Sequence, residues 1–305
     1  MKAVISGATG AIGMALLKEL VAKDWDVLVL CRKESTRVTQ IPKDPHIRLA
    51  ECSLAQMATY QPTDDETYDV FFHLAWDGTI GEGRNDLYLQ NRNVTYTLDA
   101  VKLASRLGCH TFVGAGSQAE YGRVEGKLNS KTPAYPENGY GMAKLAAGQM
   151  SRLLCEQKGM RQVWARILSV YGPFEGERSM VMSTLLKLRR GEVPAFTKGE
   201  QIWDYLYSED AARALLAIAE KGKHGGVYCL GSGNPQPLSV YIEEIRDVVS
   251  PGSELALGAI PYSAGQVMYL CADLTELTND TGFVPQTSFR EGIRKMVEWY
   301  DCTQS

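Results

Sequence analysis

Residues 4–13, with the sequence VISGATGAIG, decide the fold of this 305-residue chain. The stretch starts at the end of a short apolar run and contains three glycines. It leads into a segment whose apolar residues are spaced as on one face of a helix: Ile12, Leu16, Leu17, Leu20 and Val21. The pattern predicts a buried strand, a tight turn and an amphipathic helix at the start of the chain.

The three glycines of this turn, Gly7, Gly10 and Gly13, meet the requirements of a phosphate-binding turn. The first allows a tight turn, the second lets a pyrophosphate approach the backbone, and the third lets the helix pack closely on the sheet. Their first gap is one residue longer than in the usual fingerprint, but their position between a first strand and a helix supports the assignment. We expect dinucleotide binding by Gly7, Thr9, Gly10, Ala11, Ile12 and Gly13.

The residues after the second predicted strand bear on the choice of dinucleotide. An acid at that position would bond the ribose 2′-hydroxyl of NAD and repel the 2′-phosphate of NADP. The sequence there is Leu30-Cys31-Arg32-Lys33, without an acid, and a guanidinium can pair bidentately with a phosphate. We therefore favour NADP(H) over NAD(H), with Arg32 as a cofactor-binding residue. The alternative, that Arg32 and Lys33 are only solvated surface charges, stays open, and Glu34 lies nearby.

Apolar runs and helical segments alternate along the first half of the chain. Strand-like runs cover residues 27–30, 70–75 and 111–114, and helical segments cover residues 86–107 and 140–157. This alternation predicts an α/β fold in which a doubly wound parallel sheet of the Rossmann type forms the centre.

The pattern changes after about residue 166, where shorter pieces are separated by loops. Strand-like pieces cover residues 163–170 and 202–207, and helical pieces lie near residues 180–190 and 210–220. Such material suits a smaller mixed α/β lobe that closes over a ligand. We expect a dinucleotide-binding domain at 1–173, with 201–232 returning to it, and a substrate-binding lobe at 174–200 and 233–305.

Composition and charge exclude several classes of protein. Hydrophobic residues make up 45% of the chain and charged residues 22%, which is typical of a folded globular protein. The net charge is −4, and no basic block provides the surface that nucleic acids need, so we expect no nucleic-acid partner. No apolar run approaches the roughly 18 residues of a membrane span, and the N-terminus carries no export signal. We expect a cytoplasmic protein without membrane association.

The seven cysteines and four histidines show no metal-ligand spacing. The cysteines form no Cys-x-x-Cys pair, which predicts free thiols in a reducing compartment. His73 lies in an apolar run and is expected to be structural. We therefore expect no metal site. The acidic residues 64–66 are interpreted as a solvated loop.

Tyr140 and Lys144 lie four residues apart in a predicted helix, so their side chains share one face. A lysine ammonium beside a tyrosine stabilises the phenolate and lowers the phenol pKa from about 10 toward neutrality, which makes the tyrosine a general acid/base. Ser117 follows the run at 111–114 and is expected at the carboxyl edge of the sheet, where ligands bind in this architecture. Ser117, Tyr140 and Lys144 are therefore the predicted catalytic residues.

An ordered series of motifs, spanning nearly the whole chain, resembles the extended short-chain dehydrogenase/reductases that act on nucleotide sugars. The resemblance implies that Tyr140 is the catalytic acid/base, that Lys144 bonds the nicotinamide ribose and that Ser117 bonds the reacting sugar oxygen. The motifs are Gly7-x-x-Gly10-x-x-Gly13, His73-Leu74-Ala75, Asn93, Ser117 with Tyr121-Gly122, Tyr140-x-x-x-Lys144, Tyr171-Gly172-Pro173, and Trp203-Asp204-Tyr205 with Glu209-Asp210.

The same resemblance implies further binding residues and partners. Leu74 and Ala75 would flank the cofactor pyrophosphate. Asn93 would support the active-site helix and is included among the predicted cofactor-binding residues. The substrate would be a nucleotide sugar. A homodimer would form through the two helices around residues 86–107 and 140–157.

The residues after Ser117 separate the reactions of this family. Nucleotide-sugar 4,6-dehydratases carry an Asp-Glu pair there, whereas this chain has Gln118 and Ala119, neither of which exchanges a proton as a carboxyl does. A 4-epimerase keeps NAD tightly bound, and the missing acid after the second strand argues against it. A 4-ketoreductase needs NADPH, a proton donor and an oriented ketone.

We therefore expect NADPH-dependent reduction of a nucleotide-linked 4-keto-6-deoxyhexose to the 4-hydroxy sugar. An NAD-dependent nucleotide-sugar 4-epimerase is the enzymatic alternative. A non-catalytic dinucleotide sensor is a third possibility, and the intact Ser117, Tyr140 and Lys144 weigh against it because a sensor needs only the phosphate turn.

Two later segments, 199–205 and 251–260, are most similar to reductases of the abequose synthase type. The family usually has an arginine before its Asp-Tyr pair, where it binds the substrate pyrophosphate, and this chain has Trp203. Ser169 likewise stands where the family has an asparagine. One of three arginines can replace the missing one, unless all are solvated charges: Arg178, Arg189 and Arg190. The predicted substrate-binding residues are Ser117, Gln118, Tyr140, Arg178 and Trp203.

Overall fold

The computed structural model describes residues 1–62 and 66–304, so Asp64 and Asp65 of the expected acidic loop lie outside the described residues. The described strands are β1 (Lys2–Ser6), β2 (Asp26–Cys31), β3 (Ile47–Glu51), β4 (Val70–His73), β5 (Thr111–Ser117), β6 (Arg161–Ile167), β7 (Ser169–Tyr171), β8 (Ile202–Trp203), β9 (Tyr205–Tyr207), β10 (Gly226–Leu230) and β11 (Gln236–Pro237). Seven of them form one parallel sheet in the order β10-β6-β5-β4-β1-β2-β3.

Helices cover both faces of this sheet. The described α-helices are α1 (Ala11–Val21), α2 (Leu87–Arg106), α3 (Gly139–Gln157), α4 (Met180–Arg189), α5 (Ser208–Lys221), α6 (Leu238–Val249), α7 (Thr275–Thr281) and α8 (Phe289–Gln304). Helices α1 and α5 pack together in one core cluster, and α2 contributes to a second cluster. The chain thus forms the doubly wound arrangement that the alternating pattern predicts.

Strand β1 shows why the sheet strands have continuous apolar runs. Ala3 and Ile5 pack with α1 and α5, whereas Val4 packs with α2 on the opposite face. Successive side chains of a strand point to opposite faces, so a strand covered on both sides is apolar throughout.

The glycine turn connects β1 to α1 where space is limited on two sides. Gly7 has a φ of +85°, and a Cβ there would lie 2.7 Å from the backbone nitrogen of Ala75. A Cβ on Gly13 would lie 2.2 Å from the carbonyl oxygen of Gly7. A Cβ on Gly10 would meet this oxygen only at 3.9 Å, so the space beside Gly10 is open.

The segments after β6 build a third core at the carboxyl edge of the sheet. Strands β7 and β9 pair in parallel, and β8 and β11 pair in antiparallel orientation. Aromatic rings fill the space between these strands and helices α6 and α8. Tyr241 and Phe289 have ring centroids 4.5 Å apart, and Tyr171 and Phe289 have centroids 4.7 Å apart. The division into two domains stays a prediction.

Several elements differ from the sequence-based prediction, and strand β5 extends to Ser117 rather than ending at residue 114. The run at 163–170 is interrupted at Leu168, where the chain leaves β6 of the large sheet and enters β7. The run at 202–207 is likewise divided at Asp204 between β8 and β9. Strands β3 and β10, at the two edges of the sheet, are absent from the sequence-based prediction, and β3 has no continuous apolar run. No helix among residues 1–62 and 66–304 is long and apolar enough to cross a membrane.

Candidate active site

Two adjoining cavities form a cleft at the carboxyl edge of the parallel strands. One has a volume of about 400 Å³ and lies beside the ends of β1 and β2, and the other, of about 380 Å³, contains Ser117, Tyr140 and Lys144. The two cavities share residues of the glycine turn, of the segment after β2 and of the loop after β4: Gly7, Gly10, Arg37, Leu74, Trp76 and Thr79. We call the first the adenosine-side cavity and the second the catalytic cavity.

Ser117 ends β5, and its backbone is hydrogen-bonded to the buried carboxylate of Glu120. The backbone N–H of Ser117 donates a hydrogen bond to Glu120 Oε1 at 2.8 Å. The same carboxylate accepts hydrogen bonds from the Trp164 indole at 3.0 Å and from Arg166 Nε at 2.6 Å. Ser117 Oγ accepts a bond from the backbone N–H of Ala119 at 3.2 Å, so its own proton is available to another acceptor.

Tyr140 lies in the first turn of α3, which approaches the segment after Ser117 very closely. Asn138 caps this helix by accepting from the Gly141 N–H at 2.8 Å. A Cβ on Gly141 would lie 2.2 Å from the Ala119 carbonyl oxygen, so a larger residue would push the helix away. This contact brings Tyr140 into the same cavity as Ser117, and the Ser117 hydroxyl acts to lower the pKa of the Tyr140 phenol.

Lys144 lies one turn further along α3 and is almost entirely buried. Its Nζ donates to the Ala115 carbonyl oxygen at 2.6 Å and lies 5.7 Å from the centroid of the Tyr140 ring. Burial disfavours the ammonium form and lowers the pKa of Lys144 to about 7, and the charge of Glu120 opposes that shift.

Burial raises the pKa of Tyr140 above its ordinary value, although the hydrogen bond with Ser117 and the Arg84 guanidinium act in the opposite direction. The prediction that a neighbouring ammonium lowers this pKa toward neutrality is therefore wrong for this structure. The reason is that the same burial that weakens the ammonium of Lys144 also disfavours a phenolate at Tyr140. At neutral pH Tyr140 carries its proton.

Two residues of the catalytic region were missed in the sequence. Arg84 lies with its guanidinium carbon 4.3 Å from the centroid of the Tyr140 ring. The centroid of the Trp76 ring lies 3.7 Å from Lys144 Nζ, and the Trp76 indole N–H donates a hydrogen bond to Gln90 Oε1 at 2.9 Å. Neither has a diagnostic spacing, and only the position of Trp76 directly after His73-Leu74-Ala75 could have indicated it.

The adenosine-side cavity contains the residues expected to select the dinucleotide. Arg32 lines it, together with Ser35 and Arg37, which sequence reasoning missed. Cys31 ends β2, and its thiol donates to the Ala50 carbonyl oxygen at 3.5 Å. Among the described residues, no carboxylate at the end of β2 lines this cavity. Arg37 also reaches the catalytic cavity, so a cation lies near the junction of the two.

Four other predicted site residues lie in different surroundings. Asn93 bonds both the N–H and the carbonyl oxygen of Asp77, at 3.0 and 2.8 Å, so it holds the loop after β4. Gln118 is half-buried in the turn after Ser117, and Arg178 is exposed on the loop before α4. Trp203 donates its indole N–H to Ser169 Oγ at 2.8 Å. The binding roles assigned to these four residues stay predictions.

Two buried polar residues near the cleft have structural partners. His73 Nδ1 is hydrogen-bonded to Ser6 Oγ at 2.9 Å, and burial lowers the pKa of this imidazole to about 3. Asp204, next to Trp203, accepts bonds from the backbone N–H groups of Ser232, Gly233 and Ala272. Within residues 1–62 and 66–304 we find no group of three or more His, Cys, Asp or Glu residues arranged to hold a metal ion.

A sequence profile of the NAD-dependent epimerase/dehydratase family matches residues 3–231. The chain belongs to this family. The match confirms the family of NAD(P)-dependent enzymes predicted from the motifs, whereas the finer resemblance to abequose-synthase-type reductases stays a prediction. A curated relative, the dTDP-glucose 4,6-dehydratase of Shigella flexneri, is 30% identical over 181 residues, which are 57% of this chain and 50% of the relative. The chain thus spans about half the length of this relative.

Solved structures of family members share the architecture over the whole chain. The UDP-N-acetylglucosamine 4-epimerase of Methanobrevibacter ruminantium superposes with a TM-score of 0.88 at 21% identity, covering 99% of this chain and 98% of the other. A dTDP-glucose 4,6-dehydratase of Streptomyces venezuelae, solved with NAD bound, has a TM-score of 0.85 at 19% identity, covering 100% and 98%. At these identities the likeness concerns the fold alone, and it confirms the predicted α/β class.

Because the pKa of Lys144 is lowered in the folded state, we expect the free energy of unfolding to depend on pH. The unfolded chain protonates this lysine up to its ordinary pKa of 10.5, whereas the folded chain protonates it only up to about 7. Between these values the unfolded state binds more protons, so raising the pH stabilises the folded state. From pH 7 to pH 9 the free energy of unfolding of the wild type should rise by about 2 kcal/mol relative to Lys144→Met.

Urea denaturation of both proteins at the two pH values measures this difference. The exposed Lys158, at the end of the same helix, provides the control, and Lys158→Met should follow the wild type. A wild type and a Lys144→Met variant that respond equally to pH would show that Lys144 keeps an ordinary pKa.

Proposed function

We propose that this protein reduces a nucleotide-linked 4-keto-6-deoxyhexose to the 4-hydroxy sugar with NADPH. The observation that carries the proposal is the placement of the buried Tyr140, whose pKa is raised by burial, in one cavity with Ser117 and Lys144. A group that holds a proton at the working pH suits a reaction that begins with proton donation to a carbonyl oxygen.

The arrangement of the two hydroxyl groups supports this chemistry. Ser117 Oγ uses a lone pair to accept from Ala119, so its proton can be donated to a carbonyl oxygen near Tyr140. Two donors on one oxygen orient the ketone and stabilise the negative charge that develops on it. When Tyr140 Oη transfers its proton, the carbonyl oxygen becomes the hydroxyl of the product.

The cleft fits a nicotinamide dinucleotide. The open space beside Gly10 lets a pyrophosphate approach the backbone, and no side chain of the described residues caps α1, so its first N–H groups can bind the phosphates. Leu74 and Ala75 would flank the pyrophosphate, and Lys144 would bond the nicotinamide ribose. When bound, the reduced dinucleotide supplies the hydride that the carbonyl carbon accepts.

The positively charged adenosine side supports NADPH rather than NADH. Arg32 and Arg37 both line the adenosine-side cavity, with the hydroxyl of Ser35 between them in the sequence. Two guanidinium groups suit a 2′-phosphate, which carries negative charge and several acceptor oxygens.

The acids near Ser117 argue against 4,6-dehydration, the activity in the name of the Shigella relative. Gln118 and Ala119 follow Ser117, and the next acid, Glu120, has both carboxylate oxygens engaged by Ser117, Trp164 and Arg166. An acid that is buried in an ion pair does not exchange protons with a sugar.

A nucleotide-sugar 4-epimerase is the second candidate, and the likeness to the solved 4-epimerase favours it at the level of the fold. Epimerisation begins with oxidation, for which Tyr140 must act as a base. The raised pKa of Tyr140 opposes that role.

A homodimer is proposed to form through α2 and α3. Three apolar side chains of α3 are about half exposed on one face of this helix: Met142, Met150 and Leu153. An apolar stripe of this kind is typical of a contact with another protein surface.

The reductase activity can be tested with purified protein, NADPH and a nucleotide-linked 4-keto-6-deoxyhexose. We expect loss of absorbance at the reduced nicotinamide band and formation of one 4-hydroxy sugar. Tyr140→Phe should bind NADPH normally but turn over about 100-fold to 10,000-fold more slowly, because the proton donor is lost. Interconversion of two sugars without net consumption of NADPH would instead establish the epimerase.

Arg32→Asp should shift cofactor preference from NADPH toward NADH. We expect NADPH affinity to fall by about 10-fold to 100-fold, the value of one hydrogen bond to a charged group, and NADH affinity to stay within a few-fold. Fluorescence titration of both cofactors measures this, with Lys33→Ala as the matched surface control. Unchanged NADPH affinity in Arg32→Asp would refute the proposed role of this arginine.

The dimer can be tested by light scattering coupled to size-exclusion chromatography. The wild type should have twice the mass of the chain, and Met150→Lys combined with Leu153→Lys should give the single-chain mass, because charges in an apolar contact are unfavourable. Val284→Lys, at an exposed apolar residue outside α3, is the control. A monomeric wild type would contradict the proposal.

A further inference from the structure

Glu175 is an acid in the catalytic cavity that neither the motifs nor the proposed mechanism uses. It lies on the turn between β7 and α4 and lines the same cavity as Ser117, Tyr140 and Lys144. Its Oε2 atom is buried and, among the residues that the structure describes, has no hydrogen-bond partner. Buried polar atoms in proteins are nearly always paired, so this exception needs an explanation.

The backbone holds Glu175 in place through an unusual conformation of its neighbour. Phe174 has a φ of +66°, which is rare for a residue with a side chain. The ring centroids of Phe174 and Trp299 lie 5.2 Å apart, and Lys18 Nζ lies 5.3 Å from the centroid of the Phe174 ring. The Glu175 N–H donates to the Gly172 carbonyl oxygen at 3.3 Å. Such strained conformations persist only where the surroundings fix them, and they concentrate at ligand-binding sites.

The surroundings of the carboxyl group make it an available hydrogen-bond acceptor. Burial raises the pKa of Glu175 to about 7, while hydrogen bonding by Ser179 and by the backbone of Gly172 acts in the opposite direction. At pH 8 the group is therefore largely a carboxylate. A carboxylate oxygen without a partner accepts strongly from N–H or O–H groups.

We propose that Glu175 is a ligand-binding residue whose Oε2 accepts a hydrogen bond from an N–H or O–H group of the molecule bound in the catalytic cavity. Two sources have this chemistry in a cavity that holds a dinucleotide and a sugar: the dinucleotide, through its carboxamide or a ribose hydroxyl, and a hydroxyl of the sugar nucleotide. The inference rests on the proposed function only for the identity of these two ligands.

Binding measurements at pH 8 separate the two sources. Isothermal titration calorimetry gives the Kd of NADP⁺ alone, and then of dTDP-glucose and UDP-glucose in the presence of saturating NADP⁺. The variants are Glu175→Ala, which removes the acceptor, Glu175→Met, which removes it while keeping the side-chain volume, and Glu175→Gln, which keeps one acceptor oxygen. Glu177→Ala is the control, because Glu177 is exposed on the same loop.

We expect Glu175→Ala and Glu175→Met to raise the Kd of one of the ligands by about 10-fold to 100-fold. Glu175→Gln should raise this Kd less, and Glu177→Ala should leave it unchanged. Weaker NADP⁺ binding assigns the donor to the dinucleotide, and weaker binding of a sugar nucleotide alone assigns it to the sugar nucleotide. The proposal would be overturned if a folded Glu175→Ala or Glu175→Met variant bound all three ligands with the affinity of the wild type. Because no turnover is involved, failure of the reductase assay does not affect this result.

Discussion

The buried carboxylate of Glu120 is the interaction on which the rest of the site depends. It binds the backbone N–H of Ser117, the indole of Trp164 and the guanidinium of Arg166, and so joins the ends of β5 and β6. Removing one partner of a buried ion pair leaves an uncompensated charge, which typically costs about 3–5 kcal/mol. The segment that carries Ser117 therefore has little freedom to move. The first turn of α3 packs against this segment through Gly141, and that contact fixes Tyr140.

Burial sets the chemistry of the cleft once these elements are in place. It raises the pKa of the Tyr140 phenol and lowers the pKa of the Lys144 ammonium to about 7. Both shifts favour the uncharged form, as desolvation requires. The result is a tyrosine that holds its proton beside a serine that can also donate, an arrangement suited to protonating a carbonyl oxygen. Arg32 lines the adenosine-side cavity and not the catalytic cavity, whereas Arg37 lines both.

Sequence periodicity predicted five of the seven strands of the large sheet, helices α1 to α5 and the glycine turn. Central strands that are covered on both faces are apolar throughout, and helices with one buried face repeat their apolar residues at helical spacing. Helical spacing also placed Tyr140 and Lys144 on one face, and the structure brings them with Ser117 into one cavity. Spacing does not report burial, however, and the predicted direction of the Tyr140 pKa shift was wrong. Trp76 and Glu175 lie in loops and Arg84 lies in a short 3-10 helix, and in such segments no periodicity reveals which side chains meet. The edge strands β3 and β10 were missed, and both are only partly buried.

The central claim is that Tyr140 is a proton donor that stays protonated at neutral pH. The most direct measurement is an NMR titration of the protein labelled with ¹³C at the Cζ of tyrosine, with Tyr140→Phe to assign the signal. The account predicts that the Tyr140 resonance keeps the chemical shift of a phenol from pH 6 through its ordinary pKa of 10. A change to the phenolate shift near neutral pH would contradict it.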